Sequence, residues 1–219
     1  ILASLVVSLI SVVVALPLLH KKKIPKHTLL FLLSLSIGVM LSTVFLDFLP
    51  EISHSGYTTF IALLILAGFL IMFLIEKLIH FHHSKKCDSH GEGHSHGFSL
   101  APINLIGDGI HNFLDGLVIA GSFAVNPALG ISATLSIIFH EVPQEIADFG
   151  VLLYSGMNRF KALFFNGLSA LTSIVGVLAG VFLLNNIANF HMIIIPFAAG
   201  NFIYIAASNL LPQLHRHCG

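Results

Sequence analysis

Seven apolar runs, each roughly 20 residues long, constrain this chain more than any other feature. They lie at about 1–19, 28–50, 59–80, 99–124, 129–155, 160–184 and 191–211. A run of that length crosses the hydrocarbon core as a helix, because a helix satisfies its own backbone polar groups where water is absent. Only 9% of the residues are charged, against roughly a quarter in a soluble domain. The chain therefore reads as an all-α integral membrane protein, a helical bundle facing the lipid bilayer. The first run lacks the basic leading region of a secretory signal, and the native sequence is expected to begin earlier.

The basic residues orient the spans. Lys21, Lys22, Lys23 and Lys26 sit between spans one and two, Lys85 and Lys86 between three and four, and Arg159 and Lys161 between five and six. Arg216 follows span seven, and Lys77 lies at the matching end of span three. The alternate connections, 51–58, 125–128 and 185–190, contain no lysine or arginine. By the positive-inside rule the basic connections are cytoplasmic and the N-terminus is outside. Formal net charge is zero, so no basic face invites nucleic acid. Cys87 and Cys218 make no disulfide framework. No phosphate-binding glycine loop of the P-loop kind is present, so neither ATP-driven pumping nor an organic cofactor is expected.

The segment from 81 to 98 divides spans one to three (1–80) from spans four and five (99–155) and from spans six and seven (160–211). With its flank it holds six histidines, His80, His82, His83, His90, His94 and His96, together with Cys87. These ligands suit zinc or copper, so the expectation is a polar cytoplasmic linker that binds metal weakly. The sequence also echoes itself. Span two ends Phe48-Leu49-Pro50-Glu51-Ile52 outside, and span seven ends Leu210-Leu211-Pro212-Gln213-Leu214 inside. Similar segments in opposite orientation are what inverted repeats produce, and such folds hold their substrate near mid-membrane.

Five carboxylates, Asp108, Asp115, Glu141, Glu145 and Asp148, fall inside spans four and five, and no lysine or arginine lies in either. An ionised residue at the bilayer centre costs about 2.5–3.5 kcal/mol even on the lenient insertion scale. Hydrogen bonds between helices could settle one or two such groups, but not five. A cation taken from outside settles them all. Residues four apart share a helix face, so His111 points with Asp115, Asp108 with Asn112, and His140 with Gln144, while Glu141, Glu145 and Asp148 form the next stripe. The two histidines fall at the same depth. Imidazole with carboxylate suits zinc and other first-row divalent ions better than calcium or magnesium. Pro143 removes a backbone hydrogen bond beside these ligands and frees the carbonyl of Phe139.

The segments His111-Asn112-Phe113-Leu114-Asp115-Gly116 and His140-Glu141-Val142-Pro143-Gln144-Glu145-Ile146-Ala147-Asp148 resemble the signatures of the ZIP family, the Zrt- and Irt-like metal transporters. The resemblance covers essentially the whole chain, and extends to the histidine-rich linker of one subfamily. It implies eight spans in a three-two-three arrangement, of which seven are visible and the eighth would follow Gly219. It implies movement of Zn²⁺, and of Fe²⁺, Mn²⁺ or Cd²⁺, toward the cytosol as substrate, and a homodimer is the expected assembly. It also implies a binuclear site between spans four and five. His111, Asp115, His140 and Gln144 would form its first half. Asn112, Glu141 and Asn166 would join Asp115 and Gln144 in its second. The subfamily usually has His where this chain has Gln144, and many members have Glu near Asn166, so metal preference is expected to differ. Along the route, Asp47 and Glu51 would mark the entrance, and Asp108, Glu145 and Asp148 the exit.

Two other chemistries share parts of this pattern. An intramembrane zinc protease would use His-Glu-x-x-His with a distant aspartate, but its second histidine is here Gln144, and Pro143 disturbs the helix that would present it. A proton-coupled metal efflux carrier would also place His and Asp four apart, yet would be expected to carry a soluble metal-binding tail.

Overall fold

A computed structural model describes residues 1–19, 25–54, 56–84, 100–212 and 214. Helix α1 spans Leu2–Leu19 and α2 spans Lys26–Ser42; α2 continues through a π-helical segment, π1 (Thr43–Phe48), into α3 (Leu49–His54). Helices α4 (Thr59–Ser84), α5 (Leu100–Val125) and α6 (Pro127–Tyr154) follow. Sequence span six is a broken pair, α7 (Arg159–Ala170) and α8 (Thr172–Asn186), and span seven is α9 (His191–Tyr204) with a second π segment, π2 (Ile205–Leu210). No strand occurs among the described residues. The linker histidines His90, His94 and His96 lie outside the described residues, as do the side chains of His80, His82 and His83 at the end of α4.

Five stretches are long and apolar enough to cross a membrane by length and composition: Leu2–Leu19, Leu30–His54, Thr59–Lys77, Arg159–Asn186 and His191–Ser208. Helices α5 and α6 do not meet that test, although both are long enough. They carry the five carboxylates and both histidines, and those residues lower their hydropathy. The fold resolves the conflict by burial. α5 and α6 pack against one another, with α8 and α9 against α5 and with α1 and α2 against α6. The outward faces of the surrounding helices are apolar, as at Leu5, Leu9, Val13, Phe60, Leu63, Val175, Leu178 and Phe182. Polar groups lie inside and hydrocarbon outside, as a lipid solvent requires. The chain is an integral membrane protein.

Two glycine contacts set how closely α5 sits on α8. A β-carbon on Gly116 would overlap the carbonyl oxygen of Ser173, and one on Gly176 would overlap that of Phe113. Gly68 of α4 and Gly200 of α9 make the same reciprocal contact with the carbonyls of Phe197 and Ile65. Small residues let membrane helices approach this closely. Caps fix the ends of α6 and α7. Asn126 accepts a hydrogen bond from Leu129 N–H at 2.8 Å ahead of Pro127, and Asn158 accepts one from Lys161 N–H at 2.9 Å. Arg159 donates to the terminal carbonyls of Leu18 and Leu19 at 2.8 and 3.0 Å, tying the start of α7 to the end of α1.

The echo noticed in the sequence extends to the backbone. Leu49 N–H bonds the carbonyl of Val44, and Leu211 N–H bonds that of Ala206, each five residues back. Both bonds close a six-residue π segment, and both immediately precede a proline, Pro50 and Pro212. Proline clashes with the carbonyl four residues before it, and a π turn is one way to relieve that clash.

Candidate metal centre

Helix α5 presents His111 and Asp115 one turn apart, and α6 presents His140 and Glu141 side by side. One ligand atom from each of these four buried residues can be chosen so that all four lie within 4.8 Å of one another. His111 Nε2 stands 3.1 Å from His140 Nε2 and 3.4 Å from Glu141 Oε1. His140 Nε2 is 3.0 Å from Asp115 Oδ2, which is 3.8 Å from His111 Nε2. His140 Nε2 to Glu141 Oε1 is 3.7 Å. Tetrahedral zinc with nitrogen and oxygen ligands at about 2.0–2.2 Å would hold those ligands about 3.3 Å apart. Five of the six pairs in the cluster lie at 3.0–3.8 Å, close to that spacing.

The tautomer of His140 follows from its partners. Nδ1 lies 3.0 Å from the carbonyl of Ser136. A carbonyl only accepts, so Nδ1 carries the proton, and in the neutral ring Nε2 offers a lone pair. That lone pair faces a carboxylate oxygen and a second imidazole. Acceptors crowded in this way need a shared proton or a cation between them, and no lysine or arginine lies in α5 or α6 to supply the charge. Asp115 Oδ1 and Asn112 Oδ1 are buried without a hydrogen-bond partner, and they leave further oxygen atoms beside the cluster.

The remaining sequence-identified residues divide into groups. Gln144 donates to Asp108 Oδ1 at 3.4 Å, while Asn112 donates to the same oxygen at 3.0 Å. Asn166 of α7 donates to Glu145, and Asn104 of α5 donates to Asp148 at 3.2 Å. Asp47 accepts from Ser132 of α6. Glu51 lines a small recess with His191 and Pro196.

Two cavities approach the cluster from opposite ends of α6. A cavity of about 310 Å³ is lined by His111, Asp108, Gln144, Asp148, Asn104 and Glu76, among others. A second, of about 490 Å³, lies between α2 and α6 and includes Asp47, Thr43, Ser132 and Phe139, but none of the four clustered residues.

Sequence reasoning missed two contributors. Ser11 of α1 donates to Glu141 Oε2 at 3.4 Å, holding the carboxylate whose other oxygen faces the histidines. Ser4, Ser8 and Ser11 are all buried, and their spacing of four and three on an apolar helix is the pattern that could have flagged a packed polar stripe. Glu76 lines the cavity that reaches His111; it was read only as the end of its span.

Comparison with known proteins bears on this centre. The family model described as ZIP zinc transporter matches residues 1–101 and 98–218. The chain is similar to the zinc transporter YKE4 of Saccharomyces cerevisiae, 30% identical over 228 aligned positions that cover 92% of this chain and 66% of the yeast protein. It is similar to the zinc transporter ZIP13 of Pongo abelii, at 32% identity over 84% of this chain and 58% of that protein. Zinc transporter zipt-7.1 of Caenorhabditis briggsae is 29% identical over 70% of this chain and 47% of its own length. The chain thus spans from about half to two thirds of the length of these relatives.

Proposed function

This chain belongs to the ZIP zinc transporter family, and from that premise we propose that it carries divalent transition-metal ions, zinc first among them, across the membrane through the His111–Asp115–His140–Glu141 cluster. The observation that carries the reading is the convergence of four ligand atoms at zinc-like spacing in helices without a balancing cation. The relatives are named as transporters rather than hydrolases, and the second histidine of a His-Glu-x-x-His protease is here Gln144.

The finer reading follows from the charge pattern. The N-terminus is outside, so Asp47 and Glu51 meet the ion first and Asp108, Glu145 and Asp148 release it to the cytosol. Each carboxylate lowers the energy of a cation at its own depth, and spreading them keeps one site from becoming a trap. Asn112, Glu141 and Asn166 join Asp115 and Gln144 around a second ion beside the first, with oxygen and amide ligands in place of imidazole. Fe²⁺, Mn²⁺ and Cd²⁺ are further cargoes, the linker histidines bind metal weakly, and the spans form a three-two-three arrangement in a homodimer.

Purified protein in liposomes tests the function. Zinc entering the lumen, with competition by cadmium, iron and manganese, supports it; lumenal zinc equal to that of empty liposomes overturns it. Cysteines at positions 47 and 148, labelled by an impermeant thiol reagent from each side, test the direction. Reaction of 148 from outside, with 47 reacting only from inside, reverses the assignment.

A further inference from the structure

One row of α6 carries Ser132, Ser136, His140, Gln144 and Asp148, each four residues after the last. Residues at that spacing form a ridge along the helix. Both ends of the row already reach cavities. Ser132 lies in the outer one and donates to Asp47, and Gln144 and Asp148 lie in the inner one. His140 stands at the centre. Ser136 is the one member between the outer cavity and the centre. It is fully buried, and its hydroxyl has no hydrogen-bond partner. A buried hydroxyl left unpaired is costly, and hydrocarbon offers no water to repair it.

The neighbouring closure is aromatic. The ring of Phe202 packs on His140 at 5.7 Å between centroids, and Phe48 packs on Phe202 at 5.7 Å. Both phenylalanines are fully buried. Phe48 ends π1, whereas its neighbour Asp47 lines the outer cavity. π1 packs against both α6 and α9. A π turn holds one residue more than an α turn, so conversion of π1 to α-helix would turn the side chains on one side of it by about 100° relative to the other. That is the angle between Asp47 and Phe48 on the helix surface. π2 borders the other cavity through Leu210 and packs against α2, so each cavity is lined in part by one π segment.

We propose that the outer half of the cargo path runs over Ser132 and Ser136, that the Phe48–Phe202 pair closes it above His140, and that π1 is the hinge that opens it. Ser136 offers the passing ion a neutral oxygen in place of one water of hydration, too weak a ligand to hold it there. The proposal rests on reading the cluster as a transport site. π2 is the counterpart on the cytoplasmic side.

The test uses Ser136→Cys, a nearly isosteric change, in full-length protein whose Cys87 and Cys218 are replaced by serine. The reconstituted protein is treated from outside with an impermeant methanethiosulfonate. Slow labelling, further slowed by added zinc, is expected. Phe48→Ala, Phe202→Ala and Pro50→Ala should each speed it several-fold, whereas Phe202→Met, which keeps the bulk, should leave it slow. Pro212→Ala should leave outside labelling unchanged. Equal rates in Phe202→Ala and the parent overturn the closure, and so does fast labelling in Phe202→Met. Labelling requires no transport. The expected rates in protein without zinc uptake would sink the transport reading alone, and unchanged rates in protein with uptake would sink the closure alone.

Discussion

The hydroxyl of Ser36 in α2 lies 2.5 Å from the carbonyl oxygen of Phe139 in α6, the carbonyl that Pro143 leaves without its helical partner. The same hydroxyl is 2.8 Å from the carbonyl of Leu32, so one hydrogen serves two acceptors. Pro143 thus frees a polar group one residue before His140, and a neighbouring helix answers it. The contact pins α2, which lines the cavity containing Asp47, to the helix that carries His140 and Glu141.

Ser36→Ala should leave the Phe139 carbonyl unpaired. Side-chain hydrogen bonds between membrane helices are worth on average about 0.6 kcal/mol and at most about 1.7 kcal/mol, so the variant should unfold earlier by an amount in that range. Thermal unfolding of purified protein in detergent checks this, and an unshifted transition would show that the bond contributes nothing.

Gly116→Ala and Gly109→Ala should behave differently although both lie in α5. A β-carbon at 116 overlaps the backbone of α8, and no rotamer change relieves that; at 109 the nearest atom is the Ser169 hydroxyl oxygen at 3.4 Å. Gly116→Ala is expected to lose metal binding or fail to assemble, while Gly109→Ala should retain both. Isothermal titration with zinc, after size-exclusion chromatography, distinguishes them; equal behaviour would mean that the α5–α8 approach does not set the site.

The two helices that bear the site were legible before any coordinates, because carboxylates and histidines in apolar spans have few physical excuses. His111, Asp115 and His140 were identified from spacing alone, and all three converge. Glu141, next to His140 in sequence, was expected in the same central group as His111 and Asp115, and its carboxylate lies with theirs. The distances among the four were not legible, because they depend on how α6 packs against α5, and periodicity does not see that. The π segments were hidden for a related reason. Thr43–Phe48 is apolar in pattern, and only the recurrence of Leu-Pro after it hinted that its backbone had a counterpart in span seven.

Ser11→Ala should weaken zinc binding while leaving the four ligands in place. Loss of a group that orients a metal ligand typically costs 10–100-fold in affinity, and the long 3.4 Å bond places this variant near about tenfold. Ser11→Thr keeps a hydroxyl and should restore binding. Equal affinities in Ser11→Ala and the parent would remove Ser11 from the centre.

Gln144→His should favour zinc over manganese, because imidazole suits zinc better than an amide oxygen does. Residue 144 shares a cavity with His111 and bonds Asp108, so the new ring would lie beside the cluster. Relative uptake of the two metals measures this, and an unchanged ratio would mean that residue 144 does not contact the cargo.

On the proposed function, the ion passes through the cluster joining His111 to His140. Initial zinc uptake into proteoliposomes, compared among the parent, His111→Ala and His140→Ala at matched insertion, tests it most directly. Each change removes a ligand nitrogen and lightens the polar load of its helix, so the proteins should still insert while uptake falls to near that of empty liposomes. Uptake at the parent rate in both variants would contradict the account.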